Sequence, residues 1–218
     1  MRIGIIGTGV VGRTLGSKLV SLGHRVTLGS RGQDNENGLA WAQQAGPDGH
    51  TGTFTEAAAF GEVVLNATGG TVSLAALRAA GAGQLAGKLL IDVSNPLVFG
   101  PDGAVTLDPV NTDSVGEQIQ REFPEARVVK ALNTLNCELM VDPGRLAGEH
   151  NLFIAGNDAT AKAETVALLG EFGWPAEWIV DLRDISGARA TEMMMPFWLR
   201  MTGHFGSAEF NYSFQRGK

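Results

Sequence analysis

The chain has 218 residues, a formal charge of −6, 44% hydrophobic residues and a single cysteine, Cys137. That length and composition exclude a disordered chain and allow one sizeable core, or a domain with a small cap. Lys and Arg are scattered without runs, which speaks against a nucleic-acid partner. One cysteine forms no internal disulfide and fits a reducing, cytoplasmic compartment.

Strand and helix patterns alternate along the chain. Arg2–Ile6 is a short apolar run of the kind buried on both faces of a parallel sheet. Its glycines, with Arg13 and Lys18 close behind, set it apart from a secretory leader. A helix with Val11, Leu15, Leu19 and Leu22 on one face follows, stopped by Gly23. Arg25–Leu28 is expected as a strand and Asn37–Ala45 as a helix. Thr51–Phe54 reads as a weak strand, Thr55–Phe60 as a short helix, Glu62–Ala67 as a strong strand and Val72–Ala80 as a helix. Leu89–Val93 is a further strand, and Leu97–Asn111, with its Gly, Pro and Asp, reads as an ordered loop. Ser114-x-x-Glu117 has the form of a capping box opening a helix to Phe123. Arg127–Ala131, Asn151–Ala155 and Glu177–Asp181 are strands, Asp158–Phe172 is a helix, and Ile185–Phe205 is helical. Met193–Met201 is far too short to span a bilayer, so no membrane partner is expected. These units predict an α/β fold: a Rossmann-type, doubly wound, mostly parallel sheet over 1–184, with a small C-terminal helical cap over 185–218.

Gly7-x-Gly9-x-x-Gly12 follows the first strand and opens the first helix. In that setting the glycines serve, in turn, the tight bend, the close approach of a diphosphate, and helix–sheet packing. The helix start then offers free N–H groups and a positive dipole end to phosphate. The second strand ends in Leu28-Gly29-Ser30-Arg31, without the Asp or Glu that would bind a ribose 2′-hydroxyl. A hydroxyl and a guanidinium there favour the 2′-phosphate of NADP. Ala67-Thr68-Gly69, Asn95-Pro96 and Asn133-Thr134 stand at later strand ends, where ligands of open parallel sheets gather. The first group is expected by the diphosphate and ribose, the others near the nicotinamide.

Met1-Arg2-Ile3-Gly4-Ile5-Ile6-Gly7-Thr8-Gly9, Leu28-Gly29-Ser30-Arg31 and Val129-Lys130-Ala131-Leu132-Asn133-Thr134 resemble the NADP-dependent oxidoreductases related to the deazaflavin coenzyme F420:NADP reductase. The cofactor module of the STEAP metalloreductases is similar. The resemblance covers nearly the whole chain. It implies NADP held at Thr8, Gly9, Val10, Val11, Ser30 and Arg31, with a deazaflavin or flavin as second redox partner. It also implies a wall for that second ring within Arg189–Gly206, from Met193 to Trp198. Two positions depart from the pattern: Asn133 stands where the deazaflavin reductase carries His, and Ser94-Asn95-Pro96-Leu97-Val98 replaces a Ser-Pro-Leu-Val-Pro-like loop.

Hydride transfer between two such rings needs placement and exclusion of water, and no obligatory acid or base. No catalytic side chain is therefore assigned. His24, His50, His150 and His204 lack metal-ligand spacing, and no Gly-x-Ser-x-Gly turn occurs. His204 reads as a surface histidine, Cys137 as a small buried residue, and Lys130 as a strand-edge or cofactor contact rather than a catalytic lysine. The Met193–Met195 run suits a core or a subunit interface, and Trp198, Leu199 and Met201 suit a homodimer contact. Three readings stay open: hydride exchange with a deazaflavin or flavin, reduction of a small carbonyl or imine, and a non-catalytic NADP sensor.

Overall fold

In β1 (Arg2–Ile6) every residue after Arg2 is buried, which is why the run needs no polar alternation. The computed structural model describes residues 1–101, 103–215 and 217. After β1 come α1 (Val10–Ser21), β2 (Arg25–Ser30), α2 (Glu36–Ala45), β3 (Gly49–Thr53), α3 (Phe54–Phe60), β4 (Val63–Asn66), α4 (Gly70–Ala80), α5 (Ala82–Leu85) and β5 (Leu89–Asp92). The second half holds β6 (Leu97–Phe99), β7 (Val105–Leu107), α6 (Val115–Glu122), β8 (Arg127–Ala131), α7 (Cys137–Val141), β9 (Leu152–Gly156), α8 (Ala159–Glu171), β10 (Ile179–Asp181), α9 (Ala188–Met193) and α10 (Met195–Phe205).

Eight strands form one sheet in the order β10-β9-β8-β5-β4-β1-β2-β3. The six from β3 to β8 run parallel. β9 pairs antiparallel with β8, and β10 runs parallel to β9. Leu15, Leu19, Trp41, Leu168 and Phe172 cover one face, while Ala57, Ala58, Leu77 and Ile119 cover the other. Full burial of each large apolar side chain contributes about 1.5–3 kcal/mol. The fold is thus a Rossmann-type, doubly wound α/β sheet with C-terminal helices. Its order reverses at β1, whose Ile6 is flanked by Gly29 of β2 and Asn66 of β4. A crevice opens beyond the carboxyl ends of strands at such a reversal.

Several expectations need correction. Leu97–Asn111 is not a plain loop: Leu97–Phe99 and Val105–Leu107 pair as an antiparallel hairpin, with Leu97 opposite Leu107. Each strand has only three residues, too few to show alternation. Leu22 is the 37%-exposed residue that ends α1 rather than part of its buried face, and Gly23 makes the left-handed stop at φ 86°. Cys137 is half-buried at the edge of the core. The stretch from Ile185 is not one helix. A 3-10 turn over Ile185–Gly187 leads into α9, and α10 restarts where Pro196 enters its first turn. A proline there has no N–H to continue α9. The expected cap over 185–218 includes Arg216 and Lys218, which lie outside the described residues, as does Asp102. Among the described residues no helix is long and apolar enough to cross a membrane.

Candidate cofactor site

The turn from β1 into α1 is shaped by its three glycines. Gly7 has φ 122°, and a Cβ on it would stand 2.7 Å from the Ala67 carbonyl oxygen. A Cβ on Gly12 would stand 2.3 Å from the Gly7 carbonyl oxygen. Gly9 is different: a Cβ there would meet nothing within 4 Å. Its missing side chain therefore leaves space open at the helix mouth, the place a diphosphate requires.

That space belongs to a cleft of about 400 Å³ lined by Gly9, Val10, Val11, Ala67, Thr68, Gly69, Thr71, Val93, Ser94, Asn95, Leu97 and Phe99. The cleft brings together seven of the residues expected from the sequence: Gly9, Val10, Val11, Ala67, Thr68, Gly69 and Asn95. Gly7 and Gly12 form the turn behind it. Pro96, Asn133 and Thr134 are buried and do not line it. Asn133 is tied to the cleft through Asn95, however. Asn95 Nδ2 donates to the Asn133 carbonyl at 2.7 Å, and Asn133 Nδ2 donates to Asn95 Oδ1 at 2.9 Å. Asn133 Oδ1 is left buried and without a partner among the described residues. Leu132, just before it, is held in the left-handed region at φ 64°. A bulky residue rarely adopts that conformation, so local strain fixes where Asn133 points.

The helix starts around the cleft carry an electrostatic signature. α1 begins at Gly9 and α4 at Gly69, with no side-chain cap and no acidic residue in either first turn. Elsewhere, Asn35, Thr53, Ser114, Asn136 and Asp158 cap α2, α3, α6, α7 and α8 with their side chains, while α5, α9 and α10, none of whose residues line the cleft, also start without a side-chain cap. The start of α1 leaves N–H groups and partial positive charge at the cleft, whereas the first N–H of α4, on Gly70, already donates to the Asn95 carbonyl at 2.9 Å. Arg13 adds to it: Nη1 donates to the Thr8 carbonyl at 2.7 Å. A cation early in a helix opposes the dipole, so it is a signal for an anion that sequence reading passed over.

At the tip of β2, Ser30 is buried and its hydroxyl donates to the Gly32 carbonyl. Arg31 is exposed, and its guanidinium has no hydrogen bond or ion pair among the described residues. Arg2, Arg78, Arg121, Arg127, Arg145 and Arg189, by contrast, each face a carboxylate.

Lys130 lies at neither a strand edge nor the cofactor cleft. It is fully buried between Asp92 and Glu192, at 2.8 Å from each, and also donates to the Ser94 carbonyl. Burial alone would push its pKa down. The charges and hydrogen bonds of Asp92 and Glu192 outweigh that, and the net direction is up. Met193–Trp198 do not line the cleft either. The hairpin lines it through Leu97 and Phe99, the latter 71% exposed. Pro196, Leu199 and Arg200 line a separate recess of about 340 Å³ with Gly103, Ala104 and Val105.

Glycine turn, an open helix mouth and a crevice at the sheet's reversal define a dinucleotide-binding protein of the Rossmann class. Residues 2–96 match the family described as NADP oxidoreductase, coenzyme F420-dependent. The crystal structure of a provisionally named F420-dependent NADP reductase from Arthrobacter sp. FB24 is 50% identical, covers 99% of this chain and 100% of its own, and superposes with TM-score 0.92. Metalloreductase STEAP3 from Rattus norvegicus is 28% identical over 201 residues, and the chain spans 38% of that relative's length. A reductive aminase from Aspergillus terreus, solved with NADPH and ethyl-5-oxohexanoate, shares the fold at TM-score 0.64 and 17% identity, over 94% of this chain and 62% of its own. The chain belongs to the NADP-dependent, coenzyme F420-related oxidoreductase family.

Proposed function

We propose that this oxidoreductase moves a hydride between NADP(H) and a deazaflavin or flavin. The observation that carries the reading is the lining of the cleft, in which no side chain is ionisable. Reduction of a carbonyl or imine calls for a proton donor beside the reacting atom. Exchange between two redox rings calls for a dry surface that holds them together. Val10, Val93, Leu97 and Phe99 offer such a surface.

NADP(H), when bound, supplies the hydride chemistry. The open mouth of α1 suits its diphosphate, with Gly9 and, at the start of α4, Gly69 allowing close approach. Arg31, whose guanidinium is unpaired among the described residues, and, after a change of rotamer, Ser30 would hold the 2′-phosphate. Asn95, which lines the cleft and is held from behind by Asn133, offers the carboxamide an amide group. The same proposal takes residues 1–184 as the cofactor unit and 185–218 as a cap. It also takes the protein as cytoplasmic, and as a homodimer because α10 buries only Met195 and leaves Phe197 and Phe205 exposed.

Mixing the protein with NADPH and oxidised coenzyme F420, and separately with FMN, tests the reading by absorbance. Bleaching of either ring is the expected result. Turnover of a carbonyl or imine panel with no bleaching would overturn it.

A further inference from the structure

A buried polar chain runs behind the floor of the cleft. Thr68, on the cleft wall, donates from Oγ1 to Asn66 Oδ1 at 2.7 Å. Asn66 Nδ2 donates to Asp92 Oδ1 at 2.8 Å. The other oxygen of Asp92 receives Lys130 Nζ at 2.8 Å, and Lys130 reaches Glu192 of α9 at the same distance. Glu192 then accepts from the backbone N–H groups of Val115 and Gly116, at 2.9 and 3.1 Å, in the first turn of α6. The side chains of Asp92, Lys130 and Glu192 are at most 2% exposed.

Two links bind this chain to the cleft on the Ser94 side. Ser94 Oγ and its N–H both donate to Asp92 Oδ1, at 2.8 and 3.2 Å. The Ser94 carbonyl accepts from Lys130. Ser94 therefore has its hydroxyl, N–H and carbonyl all held by the buried pair, and Asn95 follows directly.

We infer that Lys130 and Glu192 are positioning residues, which fix the Ser94–Asn95 floor of the cleft and make α9 part of the nicotinamide site. The inference rests on the cofactor reading above. A cation with no ligand contact serves this role well. It cannot leave, because removing it strands two buried carboxylates. Its bond to a carbonyl also sets the backbone rather than a mobile side chain. Glu192 completes the device from a distant part of the chain, since it sits in the mouth of α6 as that helix's own anion. A shift of α9 would release Lys130, then Ser94, then the Asn95–Asn133 amide pair.

The test uses the full chain and NADPH as probe. Both the dissociation constant and the excited-state lifetime of the bound nicotinamide are read by fluorescence. Glu192→Gln keeps the shape of the side chain and removes its charge. The variant is expected to bind NADPH within about threefold of wild type, because the mouth of α1 and the tip of β2 keep their own contacts to the diphosphate and adenosine. The lifetime should fall toward that of free NADPH, reporting a loosened ring. Lys130→Met should show a larger fall. If it does not fold, Glu192→Gln carries the test alone. A pair that served stability only would lower the melting temperature and leave the lifetime of bound NADPH at the wild-type value, and that result overturns the inference. Absence of NADPH binding by the wild-type protein is a different failure: it removes the cofactor reading, and the inference with it.

Discussion

Two helix mouths in this protein meet opposite fates. At α6 the chain supplies its own anion, with Glu192 accepting from Val115 and Gly116 and Ser114 accepting from Glu117 N–H at 3.1 Å. At α1 nothing caps the helix and Gly9 leaves the space ahead of it open. The same backbone physics operates in both places, because the first N–H groups of a helix have no partner within it. Where a carboxylate of the chain fills the mouth, the result is a lock between α6 and α9. Where glycine keeps it clear, the mouth is reserved for an anion from outside. A missing cap alone does not mark the site, since α5, α9 and α10 also start without one; at α1 the uncapped start opens on the cleft.

The most severe way to break that contrast is to cap the open mouth. Gly9→Asp introduces a carboxylate where a Cβ meets no atom, at φ −69° and ψ −179°, which any residue tolerates. Like charges a few ångströms apart near a protein surface repel by about 4 kcal/mol, so affinity for NADPH should drop at least ~100-fold. Asp is also a better N-cap than Gly, so the unliganded variant should gain about a few tenths of a kcal/mol in stability. Titration calorimetry and urea unfolding would read these opposite signs. A variant that still binds NADPH normally would place the diphosphate elsewhere.

A smaller effect is expected at the tip of β2. Arg31→Ala removes a free guanidinium and, with it, a charge-assisted interaction of about 1.5–3 kcal/mol. NADPH should weaken by roughly 10–100-fold on that basis, while NADH changes little. Equal losses for both nucleotides would remove the 2′-phosphate role.

The smallest effect concerns the capped mouth and pH. A hydrogen bond from Arg121 holds the Asp113 carboxyl down at about 2, and Arg189 likewise lowers Glu117. A carboxyl whose folded pKa is depressed adds stability above its unfolded pKa, and that contribution is lost as pH falls through the folded value. The start of α6 should therefore loosen between about pH 4 and pH 2. Circular dichroism across that range should show a transition that Arg121→Ala moves to higher pH. No movement would mean the pair is without effect in solution, as many exposed ion pairs are.

Local chemistry explains which parts of this site were legible in the sequence. Gly7, Gly9 and Gly12 act within one turn, and the Ala67-Thr68-Gly69 and Asn95 strand ends follow from the strand–helix alternation. The hairpin was hidden because Gly100, Pro101 and Gly103 look like loop residues and its strands are so short. Lys130 was misplaced for a different reason. A lysine in an apolar strand looks like an edge residue until its partners are known. Asp92 lies 38 residues away, and Glu192 belongs to a helix at the other end of the chain. The same limit hides how the hairpin meets the cleft, which Leu97 and Phe99 line and Met193–Trp198 do not. Thr8, Val10 and Val11 rest on the family resemblance rather than on the glycine fingerprint, and Arg13 was available to any reading that asked why a cation follows it.

The most direct measurement of the withheld cap is an amide-resolved NMR titration with NADP⁺. The amides of Val10, Val11 and Gly12 should shift and become protected from hydrogen exchange, while Val115 and Gly116, already bonded to Glu192, stay as they were. Saturable binding that left the α1 amides unmoved would contradict the idea that this mouth is kept clear for the cofactor's diphosphate.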